Sequence, residues 1–266
     1  MLVQERTELA RGVVQVSAYI DSMLASFLPT GAVSSLAYAQ TLYLLPVSLF
    51  GMSVSAVELT TMSTAVGSVS QINEYLRNRL WAGLRTIAFF IIPSVVGFLF
   101  LGDRIVSAVF QTGQFNSQSS QEVWFVLMGS TIGLLATTQG RLFASTFYSL
   151  KDTKTPLKIA LVRVALTTIL GYVSALYLPA KMQEWFSLSS MTFLNFKLSE
   201  IPWGTVGLTA SAGVAGWIEF VLLKRRLLAQ IGPIQSSFRY QATLWGCALL
   251  AALLARVIDS QSHLLL

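Results

Sequence analysis

Two long apolar segments separated by a tight turn occupy the first quarter of this chain, and each contains polar residues that lipid would exclude. The turn is Pro29-Thr30-Gly31, and the segments lie on either side of it between Gly12 and Met62. Asp21 lies midway along the first segment, and Gln40 and Thr41 lie within the second. Such groups are costly in hydrocarbon unless they face a partner or a watery cavity. The pattern therefore predicts membrane helices built around an internal polar cavity.

The composition also indicates a membrane protein. Of the 266 residues, 54% are hydrophobic and only 11% are charged, whereas a soluble domain carries about 25% charged residues. Helices are expected, because an exposed strand would leave backbone groups unpaired in lipid. The predicted fold class is all-α, a polytopic membrane bundle of about seven helices. Their bounds are predicted near Gly12–Leu28, Val33–Met62, Leu84–Leu101, Val123–Leu150, Pro156–Leu178, Thr205–Leu223 and Ala242–Ile258.

The basic residues predict the orientation of this bundle. With the N-terminus in the cytoplasm, thirteen of the 18 Lys and Arg residues fall in inner segments and four in outer ones. Arg163 is counted here with an inner loop, and Arg141 lies inside the fourth span. Because positive loops stay on the cytoplasmic side, a cytoplasmic N-terminus is predicted. The net charge of +6 is then a topology signal, and no nucleic-acid partner is expected.

Irregular features are expected in and beside the spans. The second span is too long to cross the bilayer straight, so Pro46 and Gly51 are expected to bend it, either as a gate or as a static kink. Ser68–Gly83 has the pattern of an amphipathic helix on the inner membrane surface, with a partner site as the alternative. The side chains expected to face lipid there are Tyr75, Leu76, Leu80 and Trp81.

Glycines at helical spacing predict close helix contacts. Gly129 and Gly133 form a G-x-x-x-G pair in the fourth span. The sixth span has a face of small residues that includes Gly207, Gly213 and Gly216. Small residues allow membrane helices to approach closely. We interpret these positions as packing surfaces and not as a ligand site.

The residue inventory does not favour an enzyme. One histidine, His263, and one cysteine, Cys247, exclude a Cys/His metal cluster and an intrachain disulfide. The sequence contains no phosphate-binding loop and no nucleophilic-serine motif. Asp21 and Glu58 could form an aspartyl pair, but no flanking motif supports one. No cofactor is expected, and no signal peptide either, because the first residues are polar.

Four ionisable residues lie within the predicted spans, and each leaves two interpretations open. Asp21 and Arg141 either neutralise each other inside the bundle or line a transport cavity. Glu58 lies near the inner surface as an interfacial carboxylate or a gate. Glu219 precedes the basic cluster Lys224–Arg226 by about one turn, and a local contact with that cluster is the favoured interpretation.

The sequence resembles a known family over nearly all of the chain after Arg11. The stretch from Gly12 to Leu59, beginning GVVQVSAYIDSM, is similar to the start of the C-terminal half of MurJ/MviN-type lipid II flippases. These belong to the multidrug/oligosaccharidyl-lipid/polysaccharide (MOP) exporter superfamily. Similar pieces follow in order, namely FQTGQFNSQSS, GLLATTQGRLFASTFYSLKDTKTPLKIA and GTVGLTASAGVAGWIEFVLLKRRL.

The resemblance implies a protein of the bacterial inner membrane. It would move lipid II, an undecaprenyl-linked peptidoglycan precursor, to the periplasmic leaflet by alternating access, with ion or membrane-potential coupling. The family has two six-helix lobes around a cationic cavity. Here residues 1–11 would be a cytoplasmic segment, 12–229 the second lobe and 230–266 an additional helix. The chain is expected to be a fragment whose partners are the N-terminal lobe, membrane lipids and lipid II.

The resemblance and the polar pattern together suggest candidate site residues. Some family members carry an acidic–basic pair where this chain has Gln40 and Thr41, which leaves Arg141 as the deep cation for a pyrophosphate. The alternatives are a multidrug or polysaccharide-unit exporter of the same superfamily and a non-transporting membrane scaffold. A scaffold would tolerate Asp21→Leu and a transporter would not. The cavity candidates are Gln15, Asp21, Gln40, Thr41 and Arg141, and the gating candidates are Pro46 and Glu58.

Overall fold

The structure is a computed structural model that describes residues 19–177, 181, 192–193, 196–197, 201–235 and 238–262. Residues 19–25 are helical. The helices that follow are α1 (Ala32–Pro46), α2 (Ser53–Ser63), α3 (Val69–Phe110), α4 (Ser117–Thr131), α5 (Leu134–Ser149), α6 (Lys154–Leu176), α7 (Trp203–Ile231) and α8 (Phe238–Ser262). A short antiparallel pair of strands, β1 (Thr192–Phe193) and β2 (Phe196–Lys197), lies between α6 and α7 in the sequence.

The predicted all-α membrane fold is confirmed. In the described part of the chain, five helical units are long and apolar enough to cross a bilayer, and the bent α4–α5 pair makes a sixth if it counts as one span. These six units correspond to the second to seventh predicted spans. The first predicted span, Gly12–Leu28, is described only from residue 19 onward. Trp185 and Phe186, between the fifth and sixth predicted spans, lie outside the described residues.

The second span is irregular where its proline predicted a break. α1 ends at Pro46, a turn of π-helix covers Val47–Met52, and α2 continues the span. Proline has no N–H to donate and crowds the preceding turn, and the widened turn begins at the next residue. Gly51 lies in this turn against α5, because a β-carbon there would come 2.8 Å from the Thr138 methyl group.

The segment expected on the membrane surface is instead the first part of a long helix. α3 begins after Ser68, whose hydroxyl and the Gln71 side chain form a capping box, and it continues without a break to Phe110. Leu76 and Leu80 are only 1% and 0% exposed and belong to the buried core. The expectation that these two leucines face lipid was wrong, because α2 and α5 pack against α3.

The fourth predicted span is two helices, α4 and α5, that meet at an angle of 43°. Gly133 at the break touches α7 backbone to backbone, since a β-carbon there would lie 2.5 Å from the Gly213 Cα. The Trp217 indole donates a hydrogen bond of 2.9 Å to the Ile132 carbonyl and so satisfies a backbone acceptor at the break. The predicted close glycine packing is therefore confirmed, and α7 is the central helix, in contact with α4, α5 and α6.

α8 packs mainly on α3. At one end, Arg256 lies 3.3 Å from Asp103, and Arg104 lies 2.8 Å from Asp259. Arg256 also donates to the Phe100 carbonyl at 2.8 Å. Two of the four cations counted on the outer side, Arg104 and Arg256, are therefore paired with carboxylates of the protein.

Candidate functional site

A cavity of about 260 Å³ lies between six helical segments of the bundle. Asp21 of helical residues 19–25 and Gln40 and Tyr43 of α1 form one side of it. The α4–α5 break contributes Ser130, Thr137 and Arg141. The remaining wall comes from α6 and α7, with the charged residues Arg163 and Glu219. Polar side chains from both sides of the α4–α5 break thus line one cavity.

Two cavity charges form an ion pair that the sequence did not predict. The Arg163 guanidinium donates to a Glu219 carboxylate oxygen at 2.8 Å, and the two side chains are 26% and 15% exposed. The expected contact of Glu219 with Lys224–Arg226 was wrong, since α6 offers a cation on the cavity side. Lys224 instead lies 5.8 Å from the centre of the Phe220 ring.

Asp21 and Arg141 share the cavity without pairing. Among the described residues neither forms an ion pair. The Asp21 Oδ1 atom and the Arg141 Nε atom are buried there without a hydrogen-bond partner. The geometry therefore does not support the interpretation in which these two residues simply neutralise each other. The four charged cavity residues sum to zero, but only one pair is in contact.

An arginine in this position is suited to anion binding. The guanidinium carries five N–H donors in a planar fork that matches a phosphate or carboxylate group. A buried donor without a partner loses its hydration without compensation, so an incoming acceptor gains a stronger interaction than it would in water. The cavity can thus hold an anionic group against Arg141. The negative charge of Asp21 offsets part of the positive charge of the cavity.

The other predicted site residues lie in different surroundings. Gln40 lines the cavity, whereas Thr41 is exposed on α1 and donates to the Ala37 carbonyl of its own helix at 3.0 Å. Pro46 does not line the cavity and ends α1. Gln15 lies outside the described residues.

Glu58 forms a buried pair away from this cavity. Arg79 donates to both of its carboxylate oxygens, Nε to Oε2 and Nη2 to Oε1, at 2.9 Å each. The Glu58 side chain is 9% exposed and the Arg79 side chain 35%. Glu58 is therefore not a freely hydrated interfacial carboxylate, and the pair joins α2 to α3. Its predicted gating role remains a prediction.

The two-bond geometry of this pair gives a stability prediction. Arg79→Lys retains the charge but loses the planar fork, so we expect the chain to lose about 1.5–3 kcal/mol of stability. Denaturant titration of the purified protein in detergent measures the change. Arg226→Lys, on an exposed cation, is the matched control, and equal stability of the two variants would contradict the prediction.

Arg163 is the cavity residue that sequence reasoning missed. It lies nine residues after Lys154, about 14 Å along α6 at 1.5 Å per residue. The signal that could have found it is its position inside the predicted span Pro156–Leu178. Tyr43 follows Gln40 by three residues and shares its helix face. The described residues contain no group of three or more His, Cys, Asp or Glu side chains placed to hold a metal ion.

Fold and site together define a multi-pass helical membrane protein with a charged internal cavity. The family described as "Lipid II flippase MurJ" matches residues 5–265, and the chain belongs to that family. It is a family of transporters, which agrees with the expectation that the chain is not an enzyme.

Similar proteins include curated relatives described as "Probable lipid II flippase MurJ". The chain is 28% identical to the one from Buchnera aphidicola over 89% of its own length and 40% of the relative. It is 32% identical to the one from Thermotoga maritima over 62% of its own length and 34% of the relative. The chain thus spans less than half of the relatives it matches.

A solved structure shares the fold. The chain is similar to "Lipid II flippase MurJ, inward closed conformation", with a TM-score of 0.74 and 24% identity. The match covers 94% of this chain and 46% of the solved chain.

Proposed function

We propose that this chain forms the second lobe of a lipid II flippase. Residues 12–229 would form the lobe, and residues 230–266 would add a further helix. The lobe would work with an N-terminal lobe to carry the lipid-linked precursor from the cytoplasmic to the periplasmic leaflet. Family membership and the low charge content support a location in the bacterial inner membrane, and the distribution of Lys and Arg supports a cytoplasmic N-terminus.

The observation that carries this proposal is the unpaired Arg141 in the cavity. A lipid-linked pyrophosphate is an anion that must leave water to cross the bilayer. A preorganised guanidinium offers it charge-assisted hydrogen bonds in place of hydration. Arg163 is held by Glu219, so Arg141 is the cation of this cavity that a substrate can engage without breaking an ion pair.

Asp21 would balance that cation when the cavity is empty. An intramembrane carboxylate without a partner is also a candidate for sensing a coupling ion or the membrane potential. A non-transporting scaffold gives no reason to keep Asp21 and Arg141 unpaired within one bundle, since each is costly to bury. The unpaired charges therefore favour transport over a scaffold.

Complementation of cells depleted of their lipid II flippase tests the proposal. Three arrangements are compared, namely this chain alone, this chain co-expressed with a matching N-terminal lobe, and the two joined in one polypeptide. We expect growth to be restored only when the N-terminal lobe is present. Failure of the joined protein, at normal abundance in the membrane, would contradict lipid II as the substrate and favour another MOP-type exporter.

A further inference from the structure

A shallow groove of about 320 Å³ lies between α3 and α8, at the end of the bundle opposite the Arg256–Asp103 contact. Arg85 is the charged residue of its lining, with Tyr240 of α8 beside it. The Arg85 guanidinium carbon lies 4.5 Å from the centre of the Tyr240 ring and 5.5 Å from that of Trp81. Two aromatic rings therefore hold this cation in place.

The guanidinium N–H groups of Arg85 are available to bind an anion. Among the described residues it forms no ion pair, whereas Arg79, Arg104, Arg163 and Arg256 each have a carboxylate partner. Ring contacts engage the face of a guanidinium and leave the N–H groups at its edge available. A cation that is positioned in advance in this way loses less conformational entropy when it binds an anion.

The surroundings of Arg85 place it at the level of lipid headgroups. It directly precedes the apolar run Thr86–Leu101 of α3, and Trp81 and Tyr240 are residue types enriched at the membrane–water interface. On the apolar side of Arg85 the groove is lined by Phe89, which is 52% exposed. Arg239, which precedes Tyr240 in the sequence, is also exposed.

We propose that this groove binds an anionic phospholipid, with the lipid phosphate at Arg85 and an acyl chain along Phe89. The cationic end and the apolar wall match the two parts of such a lipid. Basic pockets between transmembrane helices at the interface recognise headgroups in this manner. Ion pairs join the C-terminal end of α8 to α3. A lipid bound in the groove would connect the same two helices at the N-terminal end of α8. This inference does not depend on transport of lipid II.

Native mass spectrometry of the 266-residue chain in detergent measures the dissociation constant of the first lipid adduct. The probes are phosphatidylglycerol and phosphatidylcholine with identical acyl chains. We expect phosphatidylglycerol to bind about tenfold more tightly than phosphatidylcholine, because the choline ammonium offsets the phosphate charge next to the Arg85 guanidinium and glycerol does not. Arg85→Gln should remove this preference, and Tyr240→Leu should weaken it about threefold by freeing the guanidinium.

Arg226→Gln is the matched control, because it removes one exposed positive charge from a different helix. We expect it to leave the preference for phosphatidylglycerol intact. Equal losses in Arg85→Gln and Arg226→Gln would overturn the site in favour of general surface charge. Displacement of phosphatidylglycerol by millimolar inorganic phosphate would assign the groove to a soluble anion and overturn the lipid assignment. Arg85 is exposed, so Arg85→Gln is expected to fold. Its elution profile in size-exclusion chromatography checks this.

Discussion

Replacing Gly213 with leucine is expected to prevent α7 from packing against the α4–α5 break. A β-carbon at this position would lie 2.9 Å from the Gly133 nitrogen and 3.3 Å from its Cα. The obstacle is backbone, which cannot rotate away as a side chain can, so the two helices must separate. Overpacking of this kind costs roughly 1–3 kcal/mol and occasionally more, and leucine here falls at the upper end because it adds four carbons.

The measurement is the midpoint of denaturant unfolding and the yield of folded protein in detergent. Gly213→Ala should give a smaller loss in the same direction. Gly97→Ala is the control, because nothing lies within 4 Å of a β-carbon there and alanine favours a helix. Wild-type stability for Gly213→Leu would contradict the close backbone contact between α7 and the break.

Glu219→Gln is expected to produce the second large effect, because it leaves Arg163 in the cavity without its carboxylate. Breaking a buried ion pair by removing one partner costs roughly 3–5 kcal/mol. Both side chains are partly exposed to the cavity, and water can reach them, so the lower end of that range is expected. Arg163→Gln should be similarly destabilising.

A double-mutant cycle separates the pair from the effects of the single residues. Arg163→Met combined with Glu219→Leu should be more stable than either of these two substitutions alone, because no charge remains buried without its partner. The measured quantity is the unfolding free energy of the four proteins in one detergent. Strictly additive losses would show that the 2.8 Å contact contributes nothing to stability, contrary to the expectation.

The sequence predicted the membrane spans well because apolar runs of the right length determine them. It also identified Asp21, Gln40 and Arg141, which the structure brings to one cavity, because polar residues inside such runs are conspicuous. Pro46 predicted the break in the second span for the reason that proline lacks an amide hydrogen. These features depend on local chemistry that one segment displays by itself.

Apart from the glycine contacts, features that depend on tertiary packing were not predicted. Helical periodicity showed that Leu76 and Leu80 share an apolar face, but lipid and neighbouring helices are equally apolar, so it could not show which one covers that face. The local spacing rule pointed Glu219 toward its own helix, whereas its partner is 56 residues away on α6. Arg163 follows Lys158 by only five residues, so the charge pattern groups it with the inner loop.

The role of Arg141 is tested by the amount of lipid II that reaches the outer leaflet. Cells would depend on the joined two-lobe protein, and a membrane-impermeant reagent that cleaves lipid II would report the accessible fraction. We expect Arg141→Ala to abolish delivery, Arg141→Lys to retain part of it because charge remains without the planar fork, and Arg226→Ala to leave it unchanged. Normal delivery by Arg141→Ala, at equal protein abundance, would contradict a substrate cavity built around this arginine.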